Sequence, residues 1–157
     1  MTQAAKRMDA PILAAVDFSS FSERALVWAA QAAKAFDAPL VALHVVHDPE
    51  SEPGYYRRSA EREPVLERIE KAASDRMAEF LDRTRKLHPE LPADLEHRLV
   101  VGIPATRILE VAENIDARLI VMGSQGRTGL PHLLLGSKAE RVAQLSPIPV
   151  TIVKGGD

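Results

Sequence analysis

Leu119-Ile120-Val121-Met122-Gly123-Ser124-Gln125-Gly126 is an apolar run that ends in a glycine loop, and nine residues later the chain reads Gly136-Ser137-Lys138. The run from Leu119 to Met122 has the length and continuous apolar character of a strand covered on both faces of a parallel sheet. Ser137 opens a short helical pattern carrying Ala139, Val142, Ala143 and Leu145. Strand, glycine loop and helix start form one β-to-α step. Of the chain's 8 glycines, Gly123, Gly126, Gly129 and Gly136 stand within this one short stretch, so glycine is concentrated where the step turns.

The same step recurs outward in both directions. Upstream, Ile12 to Val16 is a buried-type run ending at Asp17. Ser20-Phe21-Ser22-Glu23 follows with the spacing of a capping box, which predicts a helix whose inner face carries Ala25, Ala29, Ala32 and Phe36. Trp28 falls at the flank of that face and reads as a packing residue. After the Ala38-Pro39 turn, Leu40 to Val46 is a second strand. Residues 47–63 change character, with Pro49, Pro53, Gly54 and many charges, and are expected to form a long polar connection. Pro64 suits the first turn of a helix, and Leu66, Ile69, Ala73, Met77, Phe80, Thr84 and Leu87 then step by three or four to about His88. Leu95 to Val101 is a third strand. A helix over 104–114 precedes the quoted stretch, and Val150 to Val153 is a last strand behind Pro147 and Pro149.

Five strands alternating with four helices predict a single α/β domain over 1–157, with a frayed tail at 1–9. Its core is an open five-stranded parallel sheet with helices on both faces, a Rossmann-like arrangement. In such sheets ligands bind beyond the carboxyl ends of the strands, where strand order changes direction. That rule selects Asp17, the residues after Val45, Gly102 and the loop after Met122.

Composition limits the function. The 157 residues are 46% hydrophobic and 27% charged, enough to fill a core. A net charge of −2 argues against binding nucleic acid by bulk electrostatics. Arg57-Arg58 beside Tyr55-Tyr56 is neutralised by Glu50, Glu52, Glu61 and Glu63. With no cysteine there is no disulfide, thiol nucleophile or thiolate metal site. No stretch suits a signal peptide or a spanning helix, so a cytoplasmic protein without membrane contact is expected.

The glycine loop suits an oligophosphate. Glycine allows positive φ and close backbone approach, so successive N–H groups can turn inward, and the helix start at Gly136-Ser137-Lys138 favours an anion. Ser124, Ser137, Arg127 and Lys138 would add hydroxyl and cationic contacts. The plainer alternative is a loop whose glycines only make turns. No P-loop pattern is present, and no G-x-G-x-x-G follows the first strand. Ser124 is not in a nucleophile elbow, because position 122 is Met. His44 and His47 would face opposite sides of their strand, as would Glu96 and His97, so no histidine metal site is expected. Glu61, Glu63, Glu67 and Glu70 lie among Arg57, Arg58, Arg62 and Arg68 and read as a solvated face. No nucleophile–base pair is visible, so rapid catalysis is not expected.

These motifs together resemble the universal stress protein family, in its ATP-binding branch. The loop G-x-x-G-x9-G-[ST] is matched at Gly123, Gly126, Gly136 and Ser137. Val16-Asp17-Phe18-Ser19, Leu43-His44-Val45, Val101-Gly102-Ile103-Pro104, Val121-Met122-Gly123-Ser124 and Pro147-Ile148-Pro149-Val150 agree in order along nearly the whole chain. The resemblance implies an adenine nucleotide alpha-hydrolase-like fold. It implies ATP, carried with Mg²⁺, as the ligand of a nucleotide-linked regulatory or protective factor. Asp17 would lie beside the ribose and phosphates or their metal, and Ala15 and Val45 would frame adenine. Met122 and Gly123 would approach the ribose, while Gly126, Arg127, Gly136, Ser137 and Lys138 would surround the phosphates. Gln125 stands where the family often has a basic or imidazole side chain, and Lys138 where it often has an apolar one. The resemblance also implies a homodimer paired through the last strand, 149–153, and allows slow ATP hydrolysis or autophosphorylation. A dimeric module that contacts client proteins without a nucleotide is the alternative, and a nucleotidyl-transfer enzyme of similar fold a third.

Overall fold

The computed structural model describes residues 9–48, 59–126 and 135–155, with the side chains of 59–63 excepted. Five strands, β1 (Ile12–Ala15), β2 (Leu40–His47), β3 (Glu96–Gly102), β4 (Leu119–Gly123) and β5 (Val150–Val153), form one sheet in the order β3-β2-β1-β4-β5. Every pairing is parallel. Four helices, α1 (Ser20–Phe36), α2 (Ser59–Leu87), α3 (Pro104–Asn114) and α4 (Ser137–Leu145), alternate with them. The predicted fold class stands.

The period-two geometry of strands explains the unbroken apolar run of β1. Ile12 and Ala14 face one core with α1 and α2, where Ala25, Leu26, Ala29, Met77, Phe80 and Leu81 are buried. Leu13 and Ala15 face a second core with α3 and α4, among Ile108, Val111, Ala112, Ala139 and Val142. Because β1 is the middle strand, neither of its faces reaches water. Alanine at five buried positions of α1 (25, 29, 30, 32 and 33) lets that helix lie close over β1 and β4.

Strands β1 to β4 differ from the sequence reading by one residue at one or both ends, and two helix starts differ as well. The N-cap of α1 is Ser19, not Ser20: the Ser22 N–H donates to Ser19 Oγ at 3.2 Å, and Ser22 Oγ donates back to the Ser19 carbonyl at 3.0 Å. Glu23, expected to close a capping box, reaches across to α2 instead, 3.7 Å from Arg83 and 3.5 Å from His88. The second difference is α2, which begins at Ser59 with Pro64 inside it, so the connection after β2 is shorter than 47–63. Proline there removes one N–H bond to the preceding turn, close to the helix start, and the helix runs through it. The apolar ladder of α2 is buried only in its second half, at Ala73, Met77, Phe80, Leu81 and Thr84, while Val65 and Ile69 are exposed. The first half stands away from the sheet over a cleft of about 630 Å³ between Glu67, Glu70, Lys71 and Ser74 and the β2–β3 rim.

Strand order reverses between β1 and β4, since β2 and β3 lie on one side of β1 and β4 and β5 on the other. A crevice at their carboxyl ends follows from that reversal. Asp17 leaves β1 there, and Ser124 leaves β4 there.

Candidate functional site

The end of β1 and both ends of the glycine loop meet at this crevice. A β-carbon placed on Gly126 would stand 2.8 Å from Asp17 Oδ2, so the loop backbone lies directly against the carboxylate. A β-carbon on Gly136 would stand 3.3 Å from both Gln125 Cα and the Ser124 carbonyl oxygen. The Gly136 N–H donates to that carbonyl at 2.6 Å, which ties the start of α4 to the end of β4. Asp17, Gly126 and Gly136 are therefore brought into one patch. Arg127 and Gly129 lie outside the described residues.

The glycines serve closeness rather than torsion. Gly102 is the one glycine among the described residues with positive φ, at 149°. Gly136 sits at φ −67°, which any residue can adopt. Gly123 is required by a different neighbour: a β-carbon there would come within 2.9 Å of the Phe21 backbone in α1. Its glycine is a matter of helix–sheet packing. Two of the loop's N–H groups do not face a ligand. The Ser124 N–H donates to the Val153 carbonyl at 3.0 Å and the Gly136 N–H is taken by Ser124, so both are closed inside the protein. Further donors among the described residues lie at the start of α4. Gly136 has no side chain to cap that helix, and its first internal bond runs from the Glu140 N–H to the Gly136 carbonyl at 2.9 Å. The N–H groups of Ser137, Lys138 and Ala139 precede that bond and carry the positive end of the helix dipole. Ser137 and Lys138 are exposed.

The apolar side of the crevice comes from the α3/α4 face. Ala15 and Met122 are buried in that core and Val45 is packed against it, so these three expected residues share one face of the sheet. They lie on β1, β4 and β2 respectively, next to one another in strand order.

Asp17 is held from within. Its Oδ1 accepts from the Ser19 N–H at 3.0 Å, leaving Oδ2 toward Gly126. The intervening Phe18 adopts φ 69°, a left-handed conformation that costs a bulky L-residue about 1–2 kcal/mol. That twist sends the Phe18 ring to the α1/α2 face, where it lies 4.2 Å from the His44 ring and 5.7 Å from the Phe80 ring. The Arg76 guanidinium sits 4.9 Å above it. His44 Nδ1 is 2.8 Å from the Val16 carbonyl oxygen. Burial lowers the His44 pKa from its usual value, helped by the positive charges of Arg76 and Lys138. The Val16 carbonyl and Asp17 oppose that shift. His44, Phe18 and Arg76 escaped the sequence-based site. A left-handed aromatic such as Phe18 has no sequence signature, so no signal in the sequence marks this group.

Chemically, the crevice offers an apolar wall, a carboxylate, and a helix start with free N–H donors beside a lysine. That combination can hold a flat apolar ring at one end and an anion at the other, with Asp17 positioned to share a cation with the anion. Among the described residues no group of three or more His, Asp or Glu side chains could by itself hold a metal ion. No helix among them is long and apolar enough to cross a membrane.

Comparison with known proteins agrees with the fold. The profile of the universal stress protein family matches residues 8–154. Universal stress protein MJ0531 of Methanocaldococcus jannaschii is 36% identical over 143 residues, spanning 91% of this chain and 81% of its own. Among solved structures, the protein MJ0577 superposes with a TM-score of 0.72 at 30% identity, covering 96% of this chain and 99% of its own. A universal stress protein solved in complex with cAMP superposes with a TM-score of 0.65 at 28% identity, covering 91% and 95%. With the profile spanning all but the chain's ends, the protein belongs to the universal stress protein family.

Proposed function

We propose that this protein binds ATP together with Mg²⁺ at the β1–β4 crevice and acts as a nucleotide-linked regulatory or protective factor of the stress response. The observation that carries the reading is the meeting of Asp17, Gly126 and Gly136 beneath the uncapped start of α4. Adenine would lie along Ala15, Val45 and Met122, and the ribose near Met122 and Gly123. The phosphates would reach Gly126, Arg127, Ser137 and Lys138. A carboxylate beside an oligophosphate repels it unless a cation intervenes. Mg²⁺ bound by one carboxylate and phosphate oxygens satisfies both groups, which gives Asp17 its role. The related structure with bound cAMP supports an adenine nucleotide as the ligand class.

In this reading the protein is a binder, not an enzyme, and it works in the cytoplasm. It also works as a homodimer: β5 is an edge strand, half-exposed along its whole length, and pairing across a two-fold axis would cover it. The test is to denature protein purified without added nucleotide and identify the released small molecule by mass spectrometry, with calorimetric titration of ATP and Mg²⁺ on nucleotide-free protein. Release of an adenine nucleotide and saturable binding are expected. Absence of both would leave the client-binding dimer without a nucleotide as the better reading.

A further inference from the structure

The residues on either side of Asp17 are fixed to the opposite face of the sheet from the crevice. Before it, the Val16 carbonyl oxygen lies 2.8 Å from His44 Nδ1. A carbonyl only accepts, so Nδ1 carries the proton and donates, and burial lowers the pKa of the ring. After it, the left-handed Phe18 has its ring pressed on His44, edge-on to Phe80 and beneath Arg76. One imidazole thus holds both neighbours, by a hydrogen bond to the first and by ring contact with the second. Asp17 is the only residue between them. Its Oδ1 is bound to the Ser19 N–H and its Oδ2 is left toward Gly126.

A left-handed phenylalanine survives only where its surroundings over-determine it. With this turn, Val16 and Phe18 both enter the α1/α2 core while the carboxylate between them faces the loop. We infer that His44 and Phe18 are positioning residues, forming a clamp that fixes the Asp17 carboxylate at the nucleotide crevice. This inference rests on the reading that Asp17 serves bound ATP and its metal. His44 acts on Asp17 through its two neighbours, by the hydrogen bond to the Val16 carbonyl and the ring contact with Phe18.

Calorimetric titration of ATP with Mg²⁺ would compare the wild type with His44→Leu, His44→Asn, Asp17→Asn and the double variant carrying Asp17→Asn and His44→Leu. Asparagine places an amide donor where Nδ1 stood. The expected loss for His44→Leu is about tenfold in affinity, the lower end for a residue supporting a metal ligand. His44→Asn should recover most of it, and in the Asp17→Asn background His44→Leu should change affinity less than about twofold. Wild-type affinity in His44→Leu, or an equal loss in both backgrounds, would overturn the clamp. If His44→Leu does not fold, Phe18→Gly replaces it. Glycine accepts the left-handed turn without the ring, and the same dependence on Asp17 is expected. Failure of the nucleotide reading shows separately, as a wild type that binds no ATP. The clamp is then read from amide exchange in ligand-free protein. Faster exchange of the Ser19 N–H in His44→Leu supports it, and unchanged exchange refutes it.

Discussion

Gly123 and Gly126 are three residues apart in one loop, yet replacing each by alanine should damage different properties. In Gly123→Ala the new methyl meets the Phe21 carbonyl carbon and Cβ at 2.9 Å, where ordinary contact begins at 3.4 Å. Phe21 belongs to α1, and backbone cannot rotate away, so β4 or the helix must shift. Overpacking of that kind costs about 1–3 kcal/mol. At about 2–4 °C per kcal/mol for a domain of this size, the melting temperature should fall by about 2–12 °C. In Gly126→Ala the methyl meets only Asp17 Oδ2, at 2.8 Å. A carboxylate can turn, but doing so pulls Oδ1 from the Ser19 N–H. The loss is one hydrogen bond at a partly exposed group, about 1 kcal/mol, or about 2–4 °C. The displaced carboxylate should nevertheless weaken ATP with Mg²⁺ by about tenfold or more, because metal ligation fails with small misplacements. Differential scanning calorimetry and isothermal titration on both variants provide the comparison. Wild-type affinity in Gly126→Ala, or a greater destabilisation than in Gly123→Ala, would refute this assignment.

Ser19→Ala removes the side chain that caps α1 and should cost about 1 kcal/mol, seen as a melting temperature lower by about 2–4 °C. Lys138→Ala should weaken ATP by several-fold and leave adenosine affinity unchanged, measured by calorimetry, since only the phosphates would reach that side chain. Acid should destabilise the fold through His44. Its folded pKa lies below the unfolded value of 6.5, so the unfolded chain takes up the proton first, and stability declines as pH falls from 6.5 through the folded value. His44→Asn should therefore show a smaller drop in melting temperature than wild type between pH of about 7.5 and about 5.5. An unchanged drop would mean that other groups carry the acid sensitivity.

Much of this molecule can be read along the chain because its strands are short, apolar and separated by helices of ordinary period. The unbroken runs at 12–15 and 119–122 announce burial on both faces, and the alternation of element types then leaves few topologies. The errors fall where local preference competes with contact across the fold. Glu23 has the spacing of a capping partner, but the end of α2 places Arg83 and His88 beside it and takes it away. Pro64 resembles a helix start, but by itself it removes only one N–H bond, and α2 extends ahead of it.

The glycine loop shows the same limit in a sharper form. Spacing located the loop, yet glycine in a sequence signals either an unusual torsion or a close neighbour, and only the fold separates the two. Here Gly123 answers to Phe21, Gly126 to Asp17 and Gly136 to the Ser124–Gln125 backbone. Each neighbour belongs to a different part of the machinery: helix packing, the carboxylate, and the closure of α4 onto β4. A motif that reads as one phosphate cradle thus answers to three separate neighbours, closely at Gly123 and Gly126 and less so at Gly136, and a relative could relax one while keeping the others. An alanine at the position of Gly123 would then mark a rearranged α1, whereas a side chain at the position of Gly126 would mark a crevice whose aspartate has moved. The second change alone predicts loss of the proposed ATP binding with the fold intact.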